Sequence, residues 1–341
     1  LYVAIMTALA QLFVLSSFIT FAAALAAPAK KSYLVTGANK GQGFALCQRI
    51  LTEHDDTHVF LCSRDIQRGE DAKKLLVEEC GGNDDRVNVV QLDVTDGDSV
   101  HAALEEVQSK LGDTGKLAGV VSNAGLLWGY PLSELMNVCA TGVKNVIDAF
   151  VPLVKEDGRI IVVTSGLGPL MHGYASKERQ SALMDATSSW EDSLAPMIDE
   201  CLAAYEDSNT IEERIAAFEQ IAFPGGPFSE SAPDFHMYGL AKMFGDAYML
   251  RTARKYPNMR VTSVDPGLVY TDLILKMPKY AGLEKEETSA QSPKEGVEAT
   301  MRLLFDDAVG EGEEGSGKLY ALNKDRELVF SDIDKMPQKQ E

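Results

Sequence analysis

The sequence predicts an α/β fold: a doubly wound parallel sheet of about seven strands in one domain, with a helical insertion. Three observations predict it. Seven short apolar runs recur between Ser32 and Leu322, each is continuous rather than alternating, and helical patterns separate most of them. Continuous apolar runs mark strands covered on both faces, and β–α–β alternation implies right-handed crossovers into a parallel sheet.

Taken in order, Tyr33–Thr36 reads as the first strand, followed by a helix over Gly43–Leu51. Strands at His58–Cys62, Val87–Leu92 and Ala118–Val121 are followed by helices at Arg68–Cys80, Asp98–Leu111 and Leu132–Val151. After a fifth strand at Arg159–Thr164 the rhythm breaks. From Gly166 to His236 there is no strand candidate, only helical patterns at Ser188–Tyr205 and Ile211–Ile221 and a turn-rich exit, Phe223-Pro-Gly-Gly-Pro227. This is expected to be an insertion (residues 166–236) packed beside the ligand cleft. A long helix at Tyr238–Tyr256 then leads to strands at Arg260–Val264 and Lys318–Leu322. In such a sheet ligands lie at the carboxyl ends of the strands, near the switch in strand order.

The domain is expected to span residues 30–325. Before it, residues 1–29 carry no charge and end in small residues, Ala24-Leu-Ala-Ala-Pro-Ala29. They read as a cleaved targeting segment that sends the chain into a secretory or organelle route. An uncleaved membrane anchor is the second reading and a core helix the third. Residues 326–341 read as a tail, and Gly310–Gly317 as an exposed acidic loop.

Composition excludes several classes. With 32 basic and 51 acidic side chains the net charge is -19, so a nucleic-acid partner is not expected. Five scattered cysteines make neither a disulfide framework nor a metal pattern, and no metal is expected. His54 and His58 share helical spacing, but a loop into the second strand separates them. Cys47 and Cys139 read as inert packing, and Met171, Met184, Trp190 and Met197 as core.

The chemistry-bearing residues follow strands. Thr36-Gly37-Ala38-Asn39-Lys40-Gly41-Gln42-Gly43 joins the first strand to a helix. Glycines there let backbone amides approach a pyrophosphate at a helix N-terminus. Arg64, after the second strand, forms with Lys40 a basic pair in an acidic protein, which suits a 2′-phosphate and favours NADP over NAD. Asp93 and Val94 end the third strand; Asn123, Ala124 and Gly125 end the fourth. Tyr238 and Lys242 stand four apart, one helical turn, where an ammonium lowers a phenol's pKa from its ordinary value of about 10. Tyr320 and Lys324 share the spacing but lie on a strand candidate, and Tyr174 and Lys177 are three apart.

Together these residues resemble the short-chain dehydrogenase/reductase family, and within it the carbonyl-reductase-like members, over Lys31 to about Asn323. The glycine loop matches T-G-x-x-x-G-x-G, with Gln42 in place of an aliphatic residue. Ser122-Asn123-Ala124-Gly125 is similar to N-N-A-G with its first asparagine changed. The resemblance implies a Rossmann-type fold and NADPH-dependent hydride transfer to an aldehyde, ketone or quinone. It implies Asn137 as support for a proton relay through water, Ser165 as a donor to the substrate carbonyl, Tyr238 as general acid, and Lys242 tuning Tyr238. It places Pro266, Gly267, Val269 and Thr271, in a P-G-x-x-x-T segment, at the nicotinamide end. It also implies a monomer, because a long insertion between Ser165 and Tyr238 covers the surface other members use to assemble. Two alternatives stand beside this reading: an NADP-binding redox sensor without turnover, and a membrane-tethered reductase of lipid carbonyls.

Overall fold

The computed structural model describes residues 30–81, 84–112, 115–223, 233–309 and 315–333. The apolar leader (1–29), most of the turn-rich exit (224–232), the acidic loop (310–314) and the end of the tail (334–341) lie outside the described residues.

Eight strands form one sheet in the order β3-β2-β1-β4-β5-β6-β7-β8. They are β1 (Lys31–Val35), β2 (Thr57–Ser63), β3 (Val87–Gln91), β4 (Leu117–Ser122), β5 (Val154–Val163), β6 (Arg260–Asp265), β7 (Lys318–Leu322) and β8 (Leu328–Asp332). The first seven are parallel, as their apolar runs predict. Successive side chains go to opposite faces. Leu34, Phe60, Val90, Val120 and Ile160 pack in one core layer, while Tyr33, Val35, Val59, Leu61, Val121 and Ile161 pack in the other. Both faces are thus closed by helices: α1 (Gly41–Glu53), α2 (Ile66–Glu79), α3 (Gly97–Leu111), α4 (Leu132–Met136) and α5 (Gly142–Phe150).

The stretch expected to be a tail contains β8, which pairs antiparallel with β7 from Lys318↔Asp332 to Leu322↔Leu328. A tight turn makes this possible. The Asn323 side-chain oxygen accepts from the Asp325 and Glu327 backbone N–H groups, and Arg326 adopts φ +61°. The strand is partly exposed, so it lacks the apolar run that reveals the other seven.

Within the insertion, α6 (Leu167–Tyr174), α7 (Lys177–Met184), a π-helical turn (Trp190–Leu194) continuing into α8 (Ala195–Glu206), and α9 (Ile211–Gln220) form a helical layer. Ser176 accepts from Arg179 N–H at the start of α7, and Thr210 and Glu213 form a capping box on α9. Met171, Trp190 and Met197 are buried in this layer with Leu183, Leu194 and Phe218, against Met237, Leu240 and Phe244 of α10 (Pro233–Lys255). Met184, also expected in the core, is buried in a sheet layer instead. The helices therefore make a second small core beside the sheet. α11 (Glu298–Phe305) covers the β7 end of the other face.

Candidate active site

The strand order reverses between β1 and β4, and the candidate residues gather at that point. Thr36 is buried at the end of β1, where its hydroxyl oxygen accepts from Asn123 N–H and Ala124 N–H, both at 2.9 Å. The Asn123 amide donates back to the Thr36 carbonyl at 2.8 Å. These bonds sew the glycine loop to the end of β4. Gly37 has φ +63°, and a Cβ there would stand 3.0 Å from the Ala124 Cα. At Gly43 a Cβ would stand 2.6 Å from the Gly37 carbonyl oxygen and 2.7 Å from the Asn123 amide nitrogen. Helix α1 begins here with no side chain capping its N-terminus and no acidic residue in its first turn. Its first N–H groups and the positive end of its dipole are left for an anion, so the cradle fits a pyrophosphate.

The segment after β6 closes over this loop. The Lys40 ammonium meets the Asp272 carboxylate at 2.6 Å, both exposed. The Gln291 amide donates to the Pro266 carbonyl, and Val269 bridges to Gln291. The sequence pairs Lys40 with Arg64; the structure instead pairs Lys40 with Asp272. Arg64 is exposed and makes no side-chain bond among the described residues. Asp65 beside it is committed to capping α2, accepting from Arg68 N–H at 3.1 Å. Of Arg64 and Asp65, only the cation remains for a ligand. Asp93 accepts from Thr95 N–H and the Thr95 hydroxyl, and the Val94 carbonyl accepts from Asn145. Asp93 and Val94 thus shape a turn beside the cradle.

On the far side, Ser165 follows β5, and its hydroxyl oxygen accepts from Leu167 N–H at 3.3 Å, which leaves its O–H to donate. Tyr238 lies in the second turn of α10 rather than at its start. The buried Lys242 ammonium donates to the Val163 carbonyl at 2.7 Å and lies 5.6 Å from the Tyr238 ring centre. A Cβ on Gly125 would be 3.7 Å from it. The ends of β4 and β5 and the helix α10 thus bring Ser165, Tyr238 and Lys242 to one place.

The electrostatics run against the sequence expectation for Tyr238. Burial pushes its phenol up to about 12; Lys242 pulls the other way but loses, and Cys139, Asp265 and Asp246 add to the rise. For Lys242, burial pulls down, yet Tyr238, Cys139, Asp246 and Asp265 outweigh it and the ammonium titrates above its ordinary range. The resting pair is a protonated phenol beside a protonated amine.

Asn137 is not brought into this group. It opens a π-helical turn (Asn137–Thr141) within Leu132–Phe150, and its side chain is exposed. Cys139 points inward instead. It is buried, its thiol lies 3.7 Å from the Leu126 carbonyl, and a Cβ on Gly245 of α10 would stand 2.4 Å from its carbonyl oxygen. The available signal is Gly142. A Cβ there would strike Val94 at 2.8 Å, which fixes the helix rotation, and three residues earlier on that face stands Cys139.

The segment after β6 carries an apolar cluster. Leu127, Trp128, Phe235, Leu268 and Tyr270 gather around Ile274, Met277 and Tyr280, and the Trp128 and Phe235 rings meet edge-on at 5.5 Å. A cavity of about 400 Å³ beside the C-terminal half of α1 carries no assignment, because Arg49 there is already paired with Glu53 and Glu298. His54 stacks on Phe305 and His58 bonds Asn88. Among the described residues no His, Cys, Asp and Glu cluster could hold a metal. Nor is any described helix long and apolar enough to cross a membrane.

An uncapped glycine cradle at the switch point of a doubly wound parallel sheet marks a protein of the nucleotide-binding α/β class. The short chain dehydrogenase family model matches residues 31–196. Short-chain dehydrogenase/reductase 1 of Saponaria officinalis is 30% identical over 280 residues, covering 73% of this chain and 85% of that one. The (+)-neomenthol dehydrogenase of Arabidopsis thaliana is 27% identical over 297 residues, covering 80% and 90%. Among solved structures, salutaridine reductase from Papaver somniferum superposes with a TM-score of 0.63 at 22% identity, covering 85% of this chain and 99% of that one. The chain belongs to the short-chain dehydrogenase/reductase family and is an oxidoreductase acting on CH–OH or carbonyl groups.

Proposed function

We propose that the protein is an NADPH-dependent reductase of carbonyl groups carried on apolar, cyclic carbon skeletons, with Tyr238 as the proton donor. The observation that supports the reading is the buried Lys242 ammonium, 5.6 Å from the Tyr238 ring centre and donating to the Val163 carbonyl two residues before Ser165, at the strand ends where the glycine cradle also lies. Relatives named for neomenthol and salutaridine chemistry support the carbonyl substrate class.

Gly37, Gly41 and Gly43, with the first N–H groups of α1, would hold the pyrophosphate, and Asn39 and Gln42 flank it. Arg64 would meet the 2′-phosphate, Asp93 and Val94 the adenine end, and Asn123, Ala124 and Gly125 with Lys242 the ribose side. Pro266, Gly267, Val269 and Thr271 would bound the nicotinamide end. When bound, the reduced nicotinamide supplies hydride to the carbonyl carbon and is left oxidised. As the carbon–oxygen π pair moves onto oxygen, Ser165 O–H and Tyr238 O–H donate to it, each such donor worth about 3–4 kcal/mol in a dry site. The Tyr238 proton completes the alcohol, and the phenolate left behind is neutralised by the Lys242 ammonium. Cys139, rather than Asn137, lines the buried side of this pair.

The test is Tyr238→Phe assayed by NADPH consumption over a panel of cyclic ketones, aldehydes and quinones. Turnover is expected to fall by about 10²–10⁴-fold, the usual worth of a positioned acid, while NADPH affinity stays within about twofold. A Phe variant that turns over at the wild-type rate removes Tyr238 from the role.

A further inference from the structure

Below the Ser165–Tyr238–Lys242 cluster lies a carboxylate that the mechanism above does not use. Asp246 is 1% exposed, one helical turn beyond Lys242 on α10. The Ser263 hydroxyl of β6 donates to one of its oxygens at 2.8 Å, and the Thr164 hydroxyl, at the end of β5, to the other at 3.0 Å. Helix α6 approaches so closely that a Cβ on Gly168 would stand 2.3 Å from an Asp246 oxygen. A buried carboxylate costs several kcal/mol unless bonded and paired, so two hydroxyl donors and a glycine clearance are a built setting.

The groups around it belong to five elements. On α10 they are Lys242 and Tyr238; on β6, Ser263 and Asp265. The end of β5 contributes Thr164, the π turn Cys139, and α6 the buried His172, one turn beyond Gly168. Asp265 is itself spoken for, accepting from Gly166 N–H and Gly267 N–H, both at 2.9 Å. On α10, Lys242 stands one turn from Tyr238 and one turn from Asp246.

We propose, building on the reductase reading, that Asp246 is a positioning residue that keeps Tyr238 in its proton-donating form. Held by Thr164 and Ser263, its carboxylate claims a share of the Lys242 ammonium, and that share is withheld from a resting phenolate. The ammonium is then free to meet the phenolate only after the proton has gone to substrate. Burial pushes the Asp246 carboxyl up to about 7 against the pull of its two hydroxyl donors, so its charge develops across the range in which such an enzyme works. At higher pH, where the phenol would begin to be lost, the carboxylate is fully charged and opposes that loss.

The test is Asp246→Asn in the full-length protein, with tyrosine ring carbons labelled by carbon-13 and Tyr238→Phe used to assign the resonance. The Tyr238 titration is expected to move to lower pH by about one unit, the size expected of a like charge one to two turns away in a protein interior. The basic limb of the pH profile of carbonyl reduction should move by the same amount. Asp246→Ser provides a second route if the Asn variant does not fold. It also removes the charge, with a smaller side chain beside Gly168, so Tyr238 again titrates lower. A Tyr238 titration unmoved in a folded Asp246→Asn or Asp246→Ser variant overturns the proposal. The titration needs neither cofactor nor substrate. A moved titration in a protein that reduces no carbonyl would therefore sink the reductase reading and leave the inference about Asp246 intact.

Discussion

Replacement of Gly43 by alanine tests whether the glycine cradle holds the cofactor. The new methyl carbon would stand 2.6 Å from the Gly37 carbonyl oxygen, 2.7 Å from the Asn123 amide nitrogen and 2.8 Å from the Ala38 Cα. Ordinary contact begins near 3.4 Å, so α1 or the loop must retreat by about 0.8 Å. Two of the three neighbours are backbone and the third is tied to the Thr36 carbonyl, so no flexible chain end can absorb the move. Overpacking of this kind costs about 1–3 kcal/mol, equivalent to a fall of several degrees in melting temperature. The same retreat carries the first N–H groups of α1 away from the phosphates. Loss of one charge-assisted bond, about 1.5–3 kcal/mol, weakens binding about 10- to 150-fold. Titration of NADPH by fluorescence, beside a melt of the cofactor-free protein, separates the two effects. A variant that melts lower yet binds NADPH within twofold of wild type would show that the pyrophosphate sits elsewhere.

Two further outcomes follow from particular residues. Arg64→Ala should raise the Michaelis constant for NADPH about 10- to 100-fold and leave that for NADH within about twofold, since one charge-assisted bond to a 2′-phosphate is lost; equal effects on both cofactors would take Arg64 out of that role. Stability should fall as pH rises from about 4 to about 7, because native Asp246 keeps its proton up to about 7 while the unfolded carboxyl releases it near 3.9. The native state binds the extra proton throughout that window, so this group contributes a slope of at most about 1.4 kcal/mol per pH unit. Denaturant melts of wild type and Asp246→Asn across the window measure it, and parallel curves would refute the assignment.

How much of this was legible in the sequence depended on which physical signal each part carries. The seven parallel strands are covered on both faces, so each leaves an unbroken apolar run, and all seven stand where those runs are. β8 has one partner and a partly exposed surface, so Leu328–Asp332 leaves no such run and reads as tail. The cradle was legible because close approach demands glycine at fixed positions. The convergence of Ser165 with Tyr238 across 73 residues came from resemblance alone, since no local pattern encodes it. Asn137 also came from resemblance, and the structure leaves it exposed while Cys139 of the same π turn is buried. The sign of the Tyr238 shift also needed coordinates: spacing reveals the neighbouring ammonium, but only the fold reveals that loss of water around the phenol outweighs it.

The hairpin formed by β7 and β8 moves the raw border of the sheet. Backbone groups that β7 would otherwise present to solvent are covered, and the new border is a five-residue strand carrying Val329 and Phe330, which are 42% and 59% exposed. Lys318 and Asp332 fasten its far end as an ion pair. Trimming the chain at Leu322 would therefore uncover a sticky ribbon rather than remove an ornament, and any appendage joined beyond Asp332 would hang from the sheet itself.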